Sequence, residues 1–222
     1  LRIFRKENIP EPLLDQLSMY MLIATVVGAR LGHVLFYEPE SYLAHPLDIL
    51  KIWQGGLASH GAAIGIIAAL LLFARKTRQP FLWVIDRIVI VVALAGFFIR
   101  TGNLFNSEIY GNLTQLPWGF IFERAGETLP RHPTQIYEGL CYLGIFFFFF
   151  LSYYQKNGKP RPGFLFGFFL VSVFGFRLLV EFIKEPQVNF ENSMALNMGQ
   201  LLSIPFIIGG IILLVRKPKI TK

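Results

Sequence analysis

"FLWVIDRIVIVVALAGFF" at 81–98 runs straight into "IRTGNLFNSEIYG" at 99–111. The first stretch has the length and apolar content of a membrane-crossing helix, which needs roughly 20 such residues. The second packs Arg100, Asn103, Asn106, Glu108 and two glycines into thirteen positions. Hydrocarbon offers these groups no water to bond with, so they must find partners or lie at the edge of the bilayer.

The rest of the chain agrees with a membrane setting. Of 222 residues, 54% are hydrophobic and 15% aromatic, and mean hydropathy is +0.51. A soluble domain of this size would not normally carry a run such as "GIFFFFFL". The net charge of +7 comes from short basic clusters between apolar runs. That arrangement sets topology and excludes a nucleic-acid-binding face. The single Cys141 excludes an intrachain disulfide and a cysteine metal cluster.

Six spans are expected, at about 18–37, 55–74, 81–99, 135–154, 163–183 and 198–215. They make an all-α, polytopic membrane protein, read as a single membrane domain over 1–222 with an irregular outward-facing segment at 100–134. Basic clusters follow spans two, four and six ("RKTR", "QKNGKPR", "RKPK"), and Arg2, Arg5 and Lys6 precede span one. These ends are therefore cytoplasmic, and the segments 38–54, 100–134 and 184–197 face outward.

Ionisable residues within spans are costly and point to function. Arg30 and His33 lie one to two turns below the outer end of span one, and His60 about one turn inside span two. Arg100 closes span three. Gln135, Tyr137 and Glu138 open span four, and Arg177 and Glu181 occupy the last turns of span five. The inner halves are nearly all apolar, apart from Asp86–Arg87, which reads as a structural pair. This describes a pocket open outward or sideways, whereas a channel or carrier needs polar groups through the full thickness. Arg30, His33 and Tyr37 share one helix face. Gly28, Gly32, Gly61 and Gly65 allow close helix contact. The arginines suit an anionic partner, since guanidinium pairs with phosphate in two places.

"IRTGNLFNSEIYG" resembles the signature of the phosphatidylglycerol–prolipoprotein diacylglyceryl transferases, with Ile99 at its first glycine and Leu104 at its phenylalanine. "GGLASHGAAIG", "RHPTQIYEGL", "FGFRLLVEFIKEPQ" and "MGQLLSIP" resemble further motifs of that family, in order along the chain. Members usually carry one more N-terminal span. The start at Leu1 is expected to reflect an incomplete N-terminus.

The resemblance implies a bacterial inner-membrane enzyme whose site faces the outer, periplasmic leaflet. It would move the sn-1,2-diacylglyceryl group of phosphatidylglycerol to the lipobox cysteine of a prolipoprotein signal peptide, leaving glycerol 1-phosphate. No metal or cofactor is implied. Catalytic roles fall on His60, Arg100 and Arg177. Lipid binding falls on Arg100, Arg177, Asn103, Asn106, Glu108 and Arg30. Gly102, which would let the chain turn after Arg100, is supporting, with Gly111, Tyr137, Glu138 and Glu181. Structural readings stand beside these: an ion-pair role for Arg30 and pairing of Arg177 with Glu181 at i, i+4, helix packing for His60, and helix-end capping for Asn103, Asn106 and Glu108. The alternative functions are a transporter for an anionic solute and a non-catalytic membrane protein that binds anionic lipid.

Overall fold

The computed structural model describes residues 2–155, 160–184 and 196–216. It contains α1 (Arg2–Lys6), α2 (Glu11–Phe36), α3 (Pro39–Ala44), α4 (Ser59–Thr77), α5 (Phe81–Phe105), α6 (Thr134–Gln155), α7 (Phe164–Val180) and α8 (Met198–Val215). Six of the helices, α2 and α4 to α8, are long and apolar enough to cross a membrane, with the α7 span running on to Ile183. The protein is therefore an all-helical, multi-pass membrane protein. Among the described residues the only β pairing is three isolated bridges, at Gly111–Lys184, Leu113–Arg131 and Phe120–Arg131. Residue contacts group into two units, Leu1–Val84 and Ile85–Lys222.

In the first unit α2 packs on α4 through glycine. A Cβ on Gly61 would lie 2.3 Å from the Gly28 carbonyl oxygen and 2.7 Å from Gly32 Cα. These distances leave room only for hydrogen, so the small-residue pairs seen in the sequence do bring the two helices together. Two expected boundaries move. The α2 helix begins at Glu11, well ahead of residue 18, with Pro12 in its first turn; proline's fixed φ suits that position. The α4 helix begins at Ser59 rather than Gly55. Gly55 and Gly56 have φ of 88° and 72°, in the left-handed region that keeps them out of a helix.

In the second unit α7 lies against α8. A Cβ on Gly210 would come within 2.8 Å of the Gly167 carbonyl oxygen. The fully buried Asp86 carboxylate accepts from Gly163 N at 2.7 Å and Phe166 N at 2.8 Å. It satisfies amide groups that the first turn of α7 would otherwise leave bare. The sequence reading paired Asp86 with Arg87, whose charge does act on it; the carboxylate also caps α7. At the opposite end of the neighbouring helix, Arg161 donates to the carbonyls of Leu213 (2.8 Å), Leu214 (2.7 Å) and Arg216 (2.8 Å). Its charge thus sits at the negative end of α8.

Arg100 does not end its helix, because α5 continues to Phe105. Gly102 is helical with open space where a Cβ would stand, so it does not make the expected turn. Ser107 (φ 56°) and Ile109 (φ 58°) make it. Gly111 serves close approach: a Cβ there would lie 2.4 Å from the Ile183 carbonyl oxygen. The adjacent Asn112 N donates to that same oxygen at 2.8 Å.

Asp86→Asn retains one acceptor oxygen but loses the charge. It should lower unfolding stability in detergent by about 1–2 kcal/mol. Thermal melts of variant and wild type in one detergent check this; an unchanged midpoint would mean that the cap contributes nothing.

Candidate active site

The site in the second unit is set by how α6 begins. Thr134 Oγ1 donates to the Ile109 carbonyl at 2.7 Å, and Gln135 Nε2 donates to the Glu108 carbonyl at 2.6 Å. Both residues are fully buried. Together they hold the turn at Ser107 and Ile109, whose left-handed backbone is costly for side-chain-bearing residues. This fixes the end of α5 against the start of α6.

Arg100 then meets Glu138. Its Nε lies 2.7 Å from Glu138 Oε2, with side-chain exposures of 16% and 5%. Arg100 Nη1 donates to Asn103 Oδ1 at 3.3 Å, and Asn103 Nδ2 donates to Glu108 Oε2 at 2.9 Å. Arg100, Asn103 and Glu108 thus form a chain running from the buried carboxylate to the exposed rim. The other oxygen of Glu138 accepts from Lys184 Nζ at 2.8 Å, and Lys184 Nζ also lies 3.2 Å from Glu181 Oε2.

Arg177 lines the same narrow cleft as Arg100 and Glu138. Its Nε is buried without a hydrogen-bond partner. The expected Arg177–Glu181 pair does not form among the described residues. After Val180 the chain tightens into a 3₁₀ turn at Glu181–Ile183. Residues three apart eclipse in such a turn, so Glu181 reaches Lys184 instead. The buried and half-buried set therefore holds three cations (Arg100, Arg177, Lys184) and two carboxylates (Glu138, Glu181).

Other expected residues sit around this core. Tyr137 OH accepts from Trp118 Nε1 at 2.9 Å and lies 3.2 Å from His132 Nδ1, tying the segment between α5 and α6 to α6. Asn106 is exposed just past the end of α5. In the segment between α5 and α6, Glu127 is paired with Arg131 at 2.6 Å and accepts from Tyr110 OH at 2.9 Å. The Arg131 hydrogen bond, helped by Tyr110, holds the Glu127 carboxyl below the usual carboxylate range. That tie is intact at neutral pH and is lost as pH falls through the lowered value.

In the first unit Arg30 corrects its expected role. It is 4% exposed. Nε donates to the Ile49 carbonyl (2.8 Å), Nη1 to those of Gly55 (2.7 Å) and Gly56 (3.1 Å), and Nη2 to that of Asp48 (2.5 Å). Its guanidinium lies 4.9 Å from the Tyr42 ring centroid. It clamps the loop after α3 and leaves little for a headgroup; its partners are carbonyls rather than a carboxylate. His33 stacks on Tyr37 at 5.5 Å, so the face shared by 30, 33 and 37 is real. His60 is the second residue of α4, not a turn inside it. It is exposed, with ring centroids 5.6 Å from both Phe36 and Tyr37.

The prolipoprotein diacylglyceryl transferase family matches residues 1–216. The chain belongs to that family. The phosphatidylglycerol–prolipoprotein diacylglyceryl transferase of Tolumonas auensis is 51% identical over 219 residues, which is 98% of this chain and 84% of the relative. The protein of the same name from Chloroherpeton thalassium is 46% identical over 98% of this chain and 81% of its own length. That from Porphyromonas gingivalis is 45% identical over 98% and 82%.

For a diacylglyceryl transferase, the sequence reading missed the part played by Lys184. It counted as an outer-loop charge, yet its side chain is only 5% exposed. The available signal was its position, i+3 from Glu181. Nothing local in the sequence pairs it with Glu138.

Glu138→Gln strands Arg100 and Lys184. Removing one partner of a buried pair costs roughly 3–5 kcal/mol. Adding Lys184→Met to Glu138→Gln should recover part of that loss. Denaturant unfolding of the single and double variants checks the order; a double variant no more stable than the single would dismiss the Lys184–Glu138 bond as a stabilising pair.

Proposed function

We propose that this chain moves the diacylglyceryl group of phosphatidylglycerol to a cysteine thiol of a prolipoprotein. Family membership supports the reaction and its two substrates. The observation that carries the site assignment is the buried excess of one positive charge around Arg100, Glu138, Lys184, Glu181 and Arg177. A phosphodiester brings one negative charge and would neutralise it. A transporter reading has less support: the α5 carboxylate on the inner side, Asp86, is occupied by the α7 backbone.

In the proposed step the cysteine sulfur attacks the glyceryl carbon that bears the phosphate ester. A C–S bond forms, the C–O bond breaks, and glycerol 1-phosphate leaves with the bonding pair. The thiol proton must go to a base, because the thiolate is the nucleophile. On the family resemblance alone His60, exposed at the start of α4 in the first unit, is the proposed base. Arg100 and Arg177 would take up the negative charge developing on the departing phosphate. Arg177 has a buried, unpartnered Nε–H for this. Arg100 is anchored through Nε, so its terminal nitrogens are the ones turned to a ligand. Asn103 and Glu108 would orient Arg100 from the rim, with Asn106 beside them.

Purified protein, labelled phosphatidylglycerol and a lipobox peptide should yield a thioether-linked product and glycerol 1-phosphate; no product would overturn the reading. Lysine keeps the charge of arginine but lacks its planar fork. Arg100→Lys should therefore lose at least about tenfold to a hundredfold in kcat/KM, the worth of one charge-assisted hydrogen bond, with the fold kept.

The basic clusters support a 100–134 segment outside a bacterial inner membrane, with a site that would serve the periplasmic leaflet. A cysteine at Asn106, which is exposed, should react with an impermeant thiol reagent on intact spheroplasts. Labelling only after lysis would reverse the topology.

A further inference from the structure

The amide of Gln135 has one half in use. The residue is 1% exposed, and its Nε2 donates to the Glu108 carbonyl at 2.6 Å. That contact also settles which way round the amide sits, because a flipped amide would press two oxygens together. Oε1 therefore points away from Glu108. It is buried and has no hydrogen-bond partner among the described residues.

Gln135 lines a cavity of about 80 Å³ together with Arg100, Thr101, Phe97, Ile136 and Leu140. The walls do not supply the missing donor. Thr101 Oγ1 donates to the Phe97 carbonyl at 2.9 Å. Arg100 meets Glu138 and Asn103, and the other five lining residues, Phe97, Leu104, Ile136, Gly139 and Leu140, carry no polar side chain. A buried acceptor left bare is costly, and the residue that carries this one lines the same cavity as Arg100. At roughly 30 Å³ per water-sized group, the cavity admits two or three such groups. That is enough for a short hydroxylated arm but not for a whole lipid.

We propose that Gln135 Oε1 accepts a hydrogen bond from a headgroup hydroxyl, so that the enzyme selects an anionic lipid with a polyol headgroup over one with a plain alkyl headgroup. This rests on the transferase reading above. The chemistry fits. A glycerol headgroup carries hydroxyls one and two carbons beyond the phosphate ester. A phosphate held by Arg100 brings such a hydroxyl beside Gln135, on the neighbouring helix and against the same cavity. A site built to bond a hydroxyl rejects the analogue that lacks it, because the buried acceptor is then left bare.

The test compares phosphatidylglycerol with phosphatidyl-n-propanol, which keeps the phosphate and the three headgroup carbons but has no hydroxyl. Wild type and Gln135→Met are assayed as purified full chains with saturating lipobox peptide, and kcat/KM is read for each lipid. Wild type should favour phosphatidylglycerol by at least about tenfold. Gln135→Met also removes the Nε2 tie to the Glu108 carbonyl, so both lipids should lose some rate but phosphatidylglycerol more, bringing the ratio to within about twofold. Equal losses on both lipids, with the ratio kept, would overturn the inference and leave Gln135 only the task of holding the Glu108 carbonyl. If Gln135→Met does not fold, the wild-type ratio decides: a value near one overturns the inference, with water satisfying Oε1. Product from both lipids at equal rates therefore sinks this inference alone, whereas no product from either sinks the transferase reading and this inference with it.

Discussion

A carboxylate buried between two cations organises the second unit. Glu138 holds Arg100 with one oxygen and Lys184 with the other. Burying any of these charges alone would be prohibitive; buried together, each makes the others tolerable. The arrangement fixes three elements at once, since Arg100 stands on α5, Glu138 on α6 and Lys184 just past α7. It also determines which nitrogens of Arg100 remain for a ligand. Arg177, without such an anchor on Nε, completes the excess of positive charge.

The same economy governs the backbone around the charged groups. Irregular chain near a membrane needs partners for every N–H and C=O. The first unit meets this with one arginine: Arg30 bonds four carbonyls of the loop that precedes α4. The second unit meets it with the first two residues of α6, which hold the turn after α5. In both places a side chain on a span acts as a staple for an adjoining loop.

Much of this architecture was legible in the sequence. The spans followed from apolar length, and the contact of α2 with α4 from Gly28, Gly32, Gly61 and Gly65. Arg100, Asn103, Glu108 and Glu138 were all expected near one another, and they are bonded in one chain. What failed did so for physical reasons. Composition shows where apolar residues stop, not where a helix stops, so α5 overran Arg100 and Gly102 lost its turn. Spacing of i, i+4 presumes an α-helix, and a 3₁₀ turn redirected Glu181 from Arg177 to Lys184. Arg30 read as a ligand because a sequence shows a charge but not the carbonyls that surround it. The partners of Asp86 lie some eighty positions away along the chain, beyond any local pattern.

The Gly111–Lys184 bridge bears on biogenesis. Spans enter the membrane in chain order as synthesis proceeds. When α6 has inserted, Glu138 can already meet Arg100 and the strap of 111–112 can already bond His132, but its bonds to Ile183 and Lys184 wait until the end of α7 emerges. Lys184 supplies the last charge of the described cluster and, through its backbone, the last fastening of the segment between α5 and α6. A nascent chain halted before residue 184 would therefore hold an arginine and a glutamate in place without a finished site. Completion of the charged cluster thus marks completion of the fifth span.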